Sequence, residues 1–225
     1  MDQLTLPFQT SFIAGRNIME SNCSGSHSLY EGRGRKAGGV AIQVDLEKAF
    51  DRLRWDFIHD TLVDIGLPSS LIHVIMHCIT TPTMHVLWNG RPTDAFNPSR
   101  VVRQGDPISP YIFVLCMERI SQTICKLVDE GHWHAIKMSR RGPSLSHLFF
   151  ADDLILFGTT DMEQIQLIKE TLEAFCLCSD QKISHSKSNI FFSHNVSSSE
   201  VLVISQFLGF PSTNKLGKSL RIPLT

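Results

Sequence analysis

Two periodicities of apolar residues alternate along the chain and divide it into strands and helices. Val40-Ala41-Ile42-Gln43-Val44 is β-branched and almost wholly apolar, the pattern of a buried strand, and Asp45 ends it. In Phe149-Phe150-Ala151-Asp152-Asp153-Leu154-Ile155-Leu156-Phe157, two apolar runs flank a pair of acids. That pattern predicts a β-hairpin with Ala151-Asp152-Asp153 at its tip. Residues 83–88 read as a strand entering a turn at Asn89-Gly90, a strong hairpin dipeptide, with the second strand at about 96–102. Ile190-Phe191-Phe192 forms one more short strand.

Helical spacing accounts for the rest. Trp55, Ile58, Leu62 and Ile65 make one stripe, stopped by Gly66. Pro68-Ser69-Ser70 opens the next helix, with Leu71, Ile72, Ile75 and Ile79 expected inward. Ser109-Pro110 supplies a cap and a first-turn proline for a helix reaching about Glu130. Its apolar face holds Phe113, Met117, Ile120, Ile124 and Leu127. Thr160-Asp161-Met162-Glu163 reads as a capping box before the stripe Ile165, Ile168, Leu172 and Phe175. Ser197-Ser198-Ser199-Glu200 caps a last helix, ended by Gly209 and Pro211. Residues 1–17 read as loop, and 21–39, rich in Ser and Gly, receive no element. Strands and helices mix without βαβ alternation, so the expected class is α+β.

Composition narrows the setting. With 225 residues, 42% of them hydrophobic, the chain is long enough for one core or two subdomains. It has no apolar run of about 18 residues that would span a membrane. Met1-Asp2-Gln3-Leu4 lacks the basic and apolar regions of a signal peptide. The six cysteines show no CxxC spacing, which fits a reducing, intracellular place, nucleus or cytoplasm, rather than secretion. A net charge of -1 is low for a nucleic-acid binder. Local basic clusters do occur at Arg33-Gly34-Arg35-Lys36, Arg100 with Arg103, Arg140-Arg141, and Lys182 with Lys187.

The acids carry the candidate chemistry. Neighbouring carboxylates at Asp152 and Asp153 repel unless a cation lies between them, and a hard divalent ion with oxygen ligands removes that repulsion. Two such acids and a third from elsewhere suit a two-metal phosphoryl-transfer site, with ions roughly 3.5–4 Å apart. Asp45, at a strand end, is the candidate third acid. Aspartate also favours turns and helix caps, which is the ordinary reading of each position taken singly.

Three stretches then fall into a familiar order. Val44-Asp45-Leu46-Glu47-Lys48-Ala49-Phe50-Asp51-Arg52 resembles the first catalytic motif of LINE-type (non-LTR) retrotransposon reverse transcriptases. Arg103-Gln104-Gly105-Asp106-Pro107-Ile108-Ser109-Pro110 is similar to their second motif, and Phe150-Ala151-Asp152-Asp153 to their third. Similarity runs from about Gln9 to the C-terminus and reads most like the plant members. It implies a palm with partial fingers, an antiparallel sheet packed on helices, and RNA-directed DNA polymerisation. It implies two Mg²⁺ ions, or Mn²⁺, held by Asp45, Asp152 and Asp153, with an RNA template, a DNA primer and deoxynucleoside triphosphates as partners and no membrane.

Further roles follow from the same resemblance. Phe50 stands where the family has an aromatic steric gate against the ribose 2′-hydroxyl; a core Phe between strand and helix is the other reading. Arg103, Gln104 and Gly105 are expected to bind the nucleotide. Gln104 would hydrogen-bond it and Gly105 would let backbone approach closely. Lys187, in Gln181-Lys182-Ile183-Ser184-His185-Ser186-Lys187-Ser188, matches the fourth motif and is expected to protonate the leaving pyrophosphate, although a solvated loop lysine fits equally. Asp51 and Asp106 read as structural, and Arg16 as a phosphate contact. Some positions depart from the pattern. Ala14 stands for a usual proline, Asp180 for a usual glycine, and Ser219-Leu220-Arg221 for the primer-grip Tyr-Leu-Gly. The expected organisation is partial fingers over 1–39 and a palm-like core over 40–225, without upstream fingers, thumb or endonuclease. The alternative function is an inert retrotransposon remnant that at most binds nucleic acid or self-associates.

Overall fold

The computed structural model describes residue 5, residues 38–98, 100, 102–103, 105–137, 144–150 and 153–214. Its centre is a four-stranded antiparallel sheet in the order β6-β7-β1-β8, built from β1 (Gly39–Val44), β6 (His147–Phe150), β7 (Asp153–Thr159) and β8 (Asn189–Phe192). Every residue of β1 is buried, as its unbroken apolar run predicts. The two-residue alternation of the strands divides the core. Val40, Ile42, Val44, Leu154, Leu156 and Ile190 join the large cluster under the helices. Ala41, Leu148, Ile155, Phe157 and Phe191 join a smaller cluster on the other face with Ile136 and Leu145. Those last two come from a short ladder, β4 (Ile136–Lys137) with β5 (Ser144–Leu145).

Among the described residues six helices accompany the sheet: α1 (Ala49–Arg52), α2 (Trp55–Asp64), α3 (Ser69–Thr80), α4 (Ser109–Asp129), α5 (Met162–Ser179) and α6 (Ser198–Leu208). The stripes predicted for α4 and α5 lie in the main cluster, with Phe113, Met117, Ile120 and Ile124 buried on α4 and Ile165, Ile168, Leu172 and Phe175 on α5. The box at Ser197 and Glu200 forms in both directions, and Gly209 ends α6 in the left-handed region. Cys78, Cys116, Cys125, Cys176 and Cys178 are free thiols. No helix among the described residues is long and apolar enough to cross a membrane.

Several local expectations are corrected. The strand after Asn89-Gly90 is Arg91–Pro92, paired with β2 (Leu87–Trp88), not residues 96–102. Asn89 and Gly90 both have positive φ, the tight turn that sets register at once, and Pro92 has no N–H with which to extend the ladder. Phe96 makes only an isolated bridge, to Met84. Leu71 is exposed, while Ile72, Ile75 and Ile79 face inward. No box forms at Thr160, because its N–H donates to the Gly38 carbonyl at 3.0 Å and so keeps it in the sheet's hydrogen bonding. Asp161 is the N-cap instead, without a side-chain bond. Nor does Ser109 cap α4; it begins the helix, and the Asp106 side chain accepts the Ile108 N–H at 3.2 Å.

Candidate active site

Sheet register brings two of the predicted acids together. In the β1–β7 ladder Val44 lies opposite Leu154. Asp45 directly follows Val44 and Asp153, the first residue of β7, directly precedes Leu154, so the two acids lie at the same end of the strand pair. Asp153 is therefore a strand residue rather than part of the hairpin tip, since the β6–β7 ladder closes on Phe150 with Asp153. Asp152 lies outside the described residues, as do Gln104 and Arg16. Among the described residues no group of three or more His, Cys, Asp or Glu could hold a metal ion. The pair Asp45 and Asp153 supplies hard carboxylate oxygens, the donor type that magnesium and manganese take.

The segment after α5 clamps the strand end that carries Asp45. Leu46 bridges Ile183, Glu47 N donates to the Lys182 carbonyl at 2.8 Å, and Ser184 N donates to the Asp45 carbonyl at 2.9 Å. The Asp45 N–H in turn donates to Ser188 Oγ at 3.1 Å. Lys187 Nζ stands 3.9 Å from Asp45 Oδ1, with the lysine side chain 71% exposed and that of Asp45 28% exposed. This is a loose, solvent-screened pair that leaves the ammonium able to reorient. Ser188 was not singled out from sequence. The signal was there, since a serine in a fourth motif that pairs with the first is a natural backbone acceptor.

Asp180 occupies the left-handed region, φ 61°, at the end of α5. Its carbonyl accepts from Arg52 Nε at 2.9 Å, and its carboxylate pairs with Arg52 and Arg100. Gln181 Nε2 donates to the Ala49 carbonyl at 2.8 Å. These bonds fix the start of α1, where Lys48 turns the chain with φ 47° and Phe50 follows. The Phe50 ring is half-buried and stacks on buried Phe113 of α4, centroids 4.5 Å apart. Its carbonyl accepts from Val102 N at 3.0 Å, which ties the first motif to the approach of the second.

In that second motif Gly105 has φ +91°, where a side chain would be strained, and open space around its Cα. Arg103 is exposed. Asp106 has a structural place: its backbone closes a turn with Arg103 and Ser109, and its side chain accepts the N–H of Ile108, just before α4. Asp45, Asp153, Phe50 and Lys187 thus gather at one end of the β1–β7 pair through direct register, bonds or sequence adjacency. Among the described residues, Arg103 and Gly105 are linked to them by the Val102–Phe50 bond.

The chain is similar to known proteins in sequence and in fold. The family described as reverse transcriptase (RNA-dependent DNA polymerase) matches residues 2–212. An uncharacterized mitochondrial protein of Arabidopsis thaliana is 35% identical over 108 residues, 46% of this chain and 84% of that protein. The retrovirus-related Pol polyprotein of the type-2 retrotransposable element R2DM of Drosophila melanogaster is 32% identical over 130 residues, 58% of this chain and 12% of the polyprotein. Among solved structures, telomerase of Candida tropicalis in complex with a fragment of telomeric RNA superposes with a TM-score of 0.60 at 14% identity, over 80% of this chain and 30% of that one. The chain therefore spans a small part of the polyprotein and of the telomerase, and the likeness to telomerase is one of fold.

Proposed function

The chain belongs to the reverse transcriptase (RNA-dependent DNA polymerase) family, and from that premise we propose that it is the polymerase domain of a non-LTR retrotransposon of the plant type. It adds deoxynucleotides to a primer 3′-hydroxyl opposite an RNA template. The observation that carries this reading is that Asp45 and Asp153, each inside a motif of the family, flank the last paired residues at one end of β1 and β7. Asp45, Asp153 and Asp152 would hold two magnesium ions, or manganese. When bound, such ions acidify the primer hydroxyl and neutralise charge on the reacting phosphate. The protein's own part is position and countercharge. The rigid strand ends hold the carboxylates, and the Ser188 and Ser184 bonds hold the Asp45 backbone. Phe50 excludes a ribose 2′-hydroxyl. Arg103, Gln104 and Gly105 hold the incoming nucleotide. Lys187 delivers a proton to the departing pyrophosphate.

Primer extension on an RNA template tests the proposal. Asp45→Asn and Asp153→Asn each remove one ligand charge and should lower extension by at least about a hundredfold, the scale of losing a preorganised electrostatic group. Circular dichroism should stay unchanged. Extension at the wild-type rate in either variant would overturn the assignment.

A further inference from the structure

The hairpin of Leu87–Trp88 with Arg91–Pro92 keeps its apolar side chains in water. Val86, Leu87, Trp88 and Phe96 are 51%, 72%, 73% and 46% exposed. Single exposed apolar residues are ordinary, but four in one hairpin mark a contact surface. Of the chain's three tryptophans, Trp133 is buried and Trp55 half-buried, so Trp88 is the exposed one. The hairpin is firmly held. Asn89 and Gly90 make its tight turn, the Thr93 N–H donates to the Val86 carbonyl at 2.8 Å, and the Val86 N–H donates to Thr93 Oγ1 at 3.1 Å. Met84 and Phe96 exchange two backbone bonds of 2.9 Å. Trp88 lies directly opposite Arg91, so ring and guanidinium share one face of the ladder. From Pro82 to Arg103 there are three arginines, Arg91, Arg100 and Arg103, and one acid, Asp94. Arg100 is paired with Asp180, which leaves Arg91 and Arg103 against Asp94. At its base the hairpin adjoins the second motif, since Met84 lines a crevice with Arg103 and Asp106. Four residues of chain keep Trp88 within about 14 Å of Met84.

We propose that this hairpin is a stacking platform for the RNA template. The Trp88 ring lies on an unpaired base approaching the second motif, and Arg91 meets a neighbouring phosphate. Every base has a π face, so the contact tolerates any sequence, as a template site must. A lipid surface fits worse, because the polar Asn89-Gly90 turn and Arg91 stand at the tip and would enter the apolar layer first. A second copy fits worse as well, since joining two such faces brings Arg91 against Arg91. The inference rests on the polymerase reading for the identity of the strand, but the contact uses none of the residues assigned to catalysis or nucleotide binding.

The probe is a short single-stranded oligoadenylate RNA, titrated into the whole chain in chelator and without nucleotides. Tryptophan fluorescence should fall on binding. Trp88→Phe should abolish that fall yet keep Kd, read from the anisotropy of labelled RNA, within about threefold, because a phenyl ring still stacks. Trp88→Ala should raise Kd about tenfold while its circular dichroism stays that of the wild type. Arg91→Gln should lower the slope of log Kd against log salt by about 0.7. Leu177→Ala, at an 80% exposed apolar residue of α5, should change neither quantity. An RNA–DNA hybrid with an unpaired 5′ RNA tail should quench the fluorescence, and a blunt hybrid should not. Asp45→Asn should bind and quench like the wild type, so this proposal and the carboxylate assignment fail separately. Wild-type Kd in Trp88→Ala, no quenching at saturating RNA, equal loss in Leu177→Ala, or equal quenching by the blunt hybrid would overturn it. So would a wild-type dimer that Trp88→Ala turns into monomer, or quenching by phosphatidylserine vesicles that RNA does not reverse.

Discussion

His147 is an ionisable ring that its surroundings keep neutral. It is 0% exposed, between Ser121 Oγ at 2.7 Å from Nε2 and Ser146 Oγ at 2.9 Å from Nδ1. Burial pushes its pKa down to about 3. Because the folded value lies below that of the unfolded chain, the unfolded state takes up the proton first. Stability should fall as pH drops from about 6.5 towards about 3, with a slope approaching 1.4 kcal/mol per pH unit from this residue. Urea denaturation of wild type and His147→Gln between pH 7 and pH 4 checks the sign: the gap between them must close, or reverse, as pH falls. Phe50 poses a different single-residue question, because its ring both stacks on Phe113 and stands near the strand end of Asp45. Removing the stack should cost about 0.5–1.5 kcal/mol beyond the area lost. If the ring is also the gate, Phe50→Ala in an extending enzyme raises ribonucleotide use in direct competition with deoxyribonucleotides. Unaltered discrimination together with lowered stability would make it a packing residue alone.

At the scale of elements, Asp180 shows how a connection can hold two motifs. A non-glycine residue at φ 61° costs about 1 kcal/mol. Its carboxylate offsets this by pairing with Arg52 at the end of the first motif and Arg100 ahead of the second. Asp180→Gly should therefore change stability by less than about 1 kcal/mol, losing the pairs and the strain together. Asp180→Ala keeps the strain and loses the pairs, and should be less stable than Asp180→Gly by about 1 kcal/mol. Equal denaturation midpoints for the two variants would show that backbone strain is not the deciding quantity. From sequence, Asp180 stood out only as an exception to a usual glycine; its partners lie 128 and 80 residues away and no local pattern reveals them. The same divide runs through the fold. Long stripes such as those of α4 and α5, and the unbroken run of β1, were legible because burial repeats with one period over many residues. Ends were not. Thr160 and Ser109 carry good capping chemistry, yet the Gly38 carbonyl and the Asp106 carboxylate decide where those helices begin. Likewise, sequence named the acids, but only the pairing of β1 with β7 brings Asp45 and Asp153 to the same end of two strands.

For the whole molecule, that pairing places a destabilising element in the middle of the stiffest part. β1 is buried along its full length and is held by β7 on one side and β8 on the other, so its end has little freedom to move Asp45 away. Like charges brought to one end of a strand pair cost stability, and the largely exposed Lys187, 3.9 Å from Asp45, offsets part of that cost. A site organised to collect positive charge should then be less stable without cations than a version with one acid neutralised. In a chelator, Asp153→Asn should melt higher than wild type by roughly 1–4 °C, which corresponds to about 0.5–1 kcal/mol in a chain of this size. Millimolar Mg²⁺ should raise the wild-type midpoint through binding to the folded state, and raise that of Asp153→Asn much less. Calorimetric scans of both proteins, with chelator and with Mg²⁺, separate this from a purely structural role. A wild-type midpoint indifferent to Mg²⁺, with Asp153→Asn no more stable in chelator, would mean that the two carboxylates share one end of the strand pair without forming a cation site.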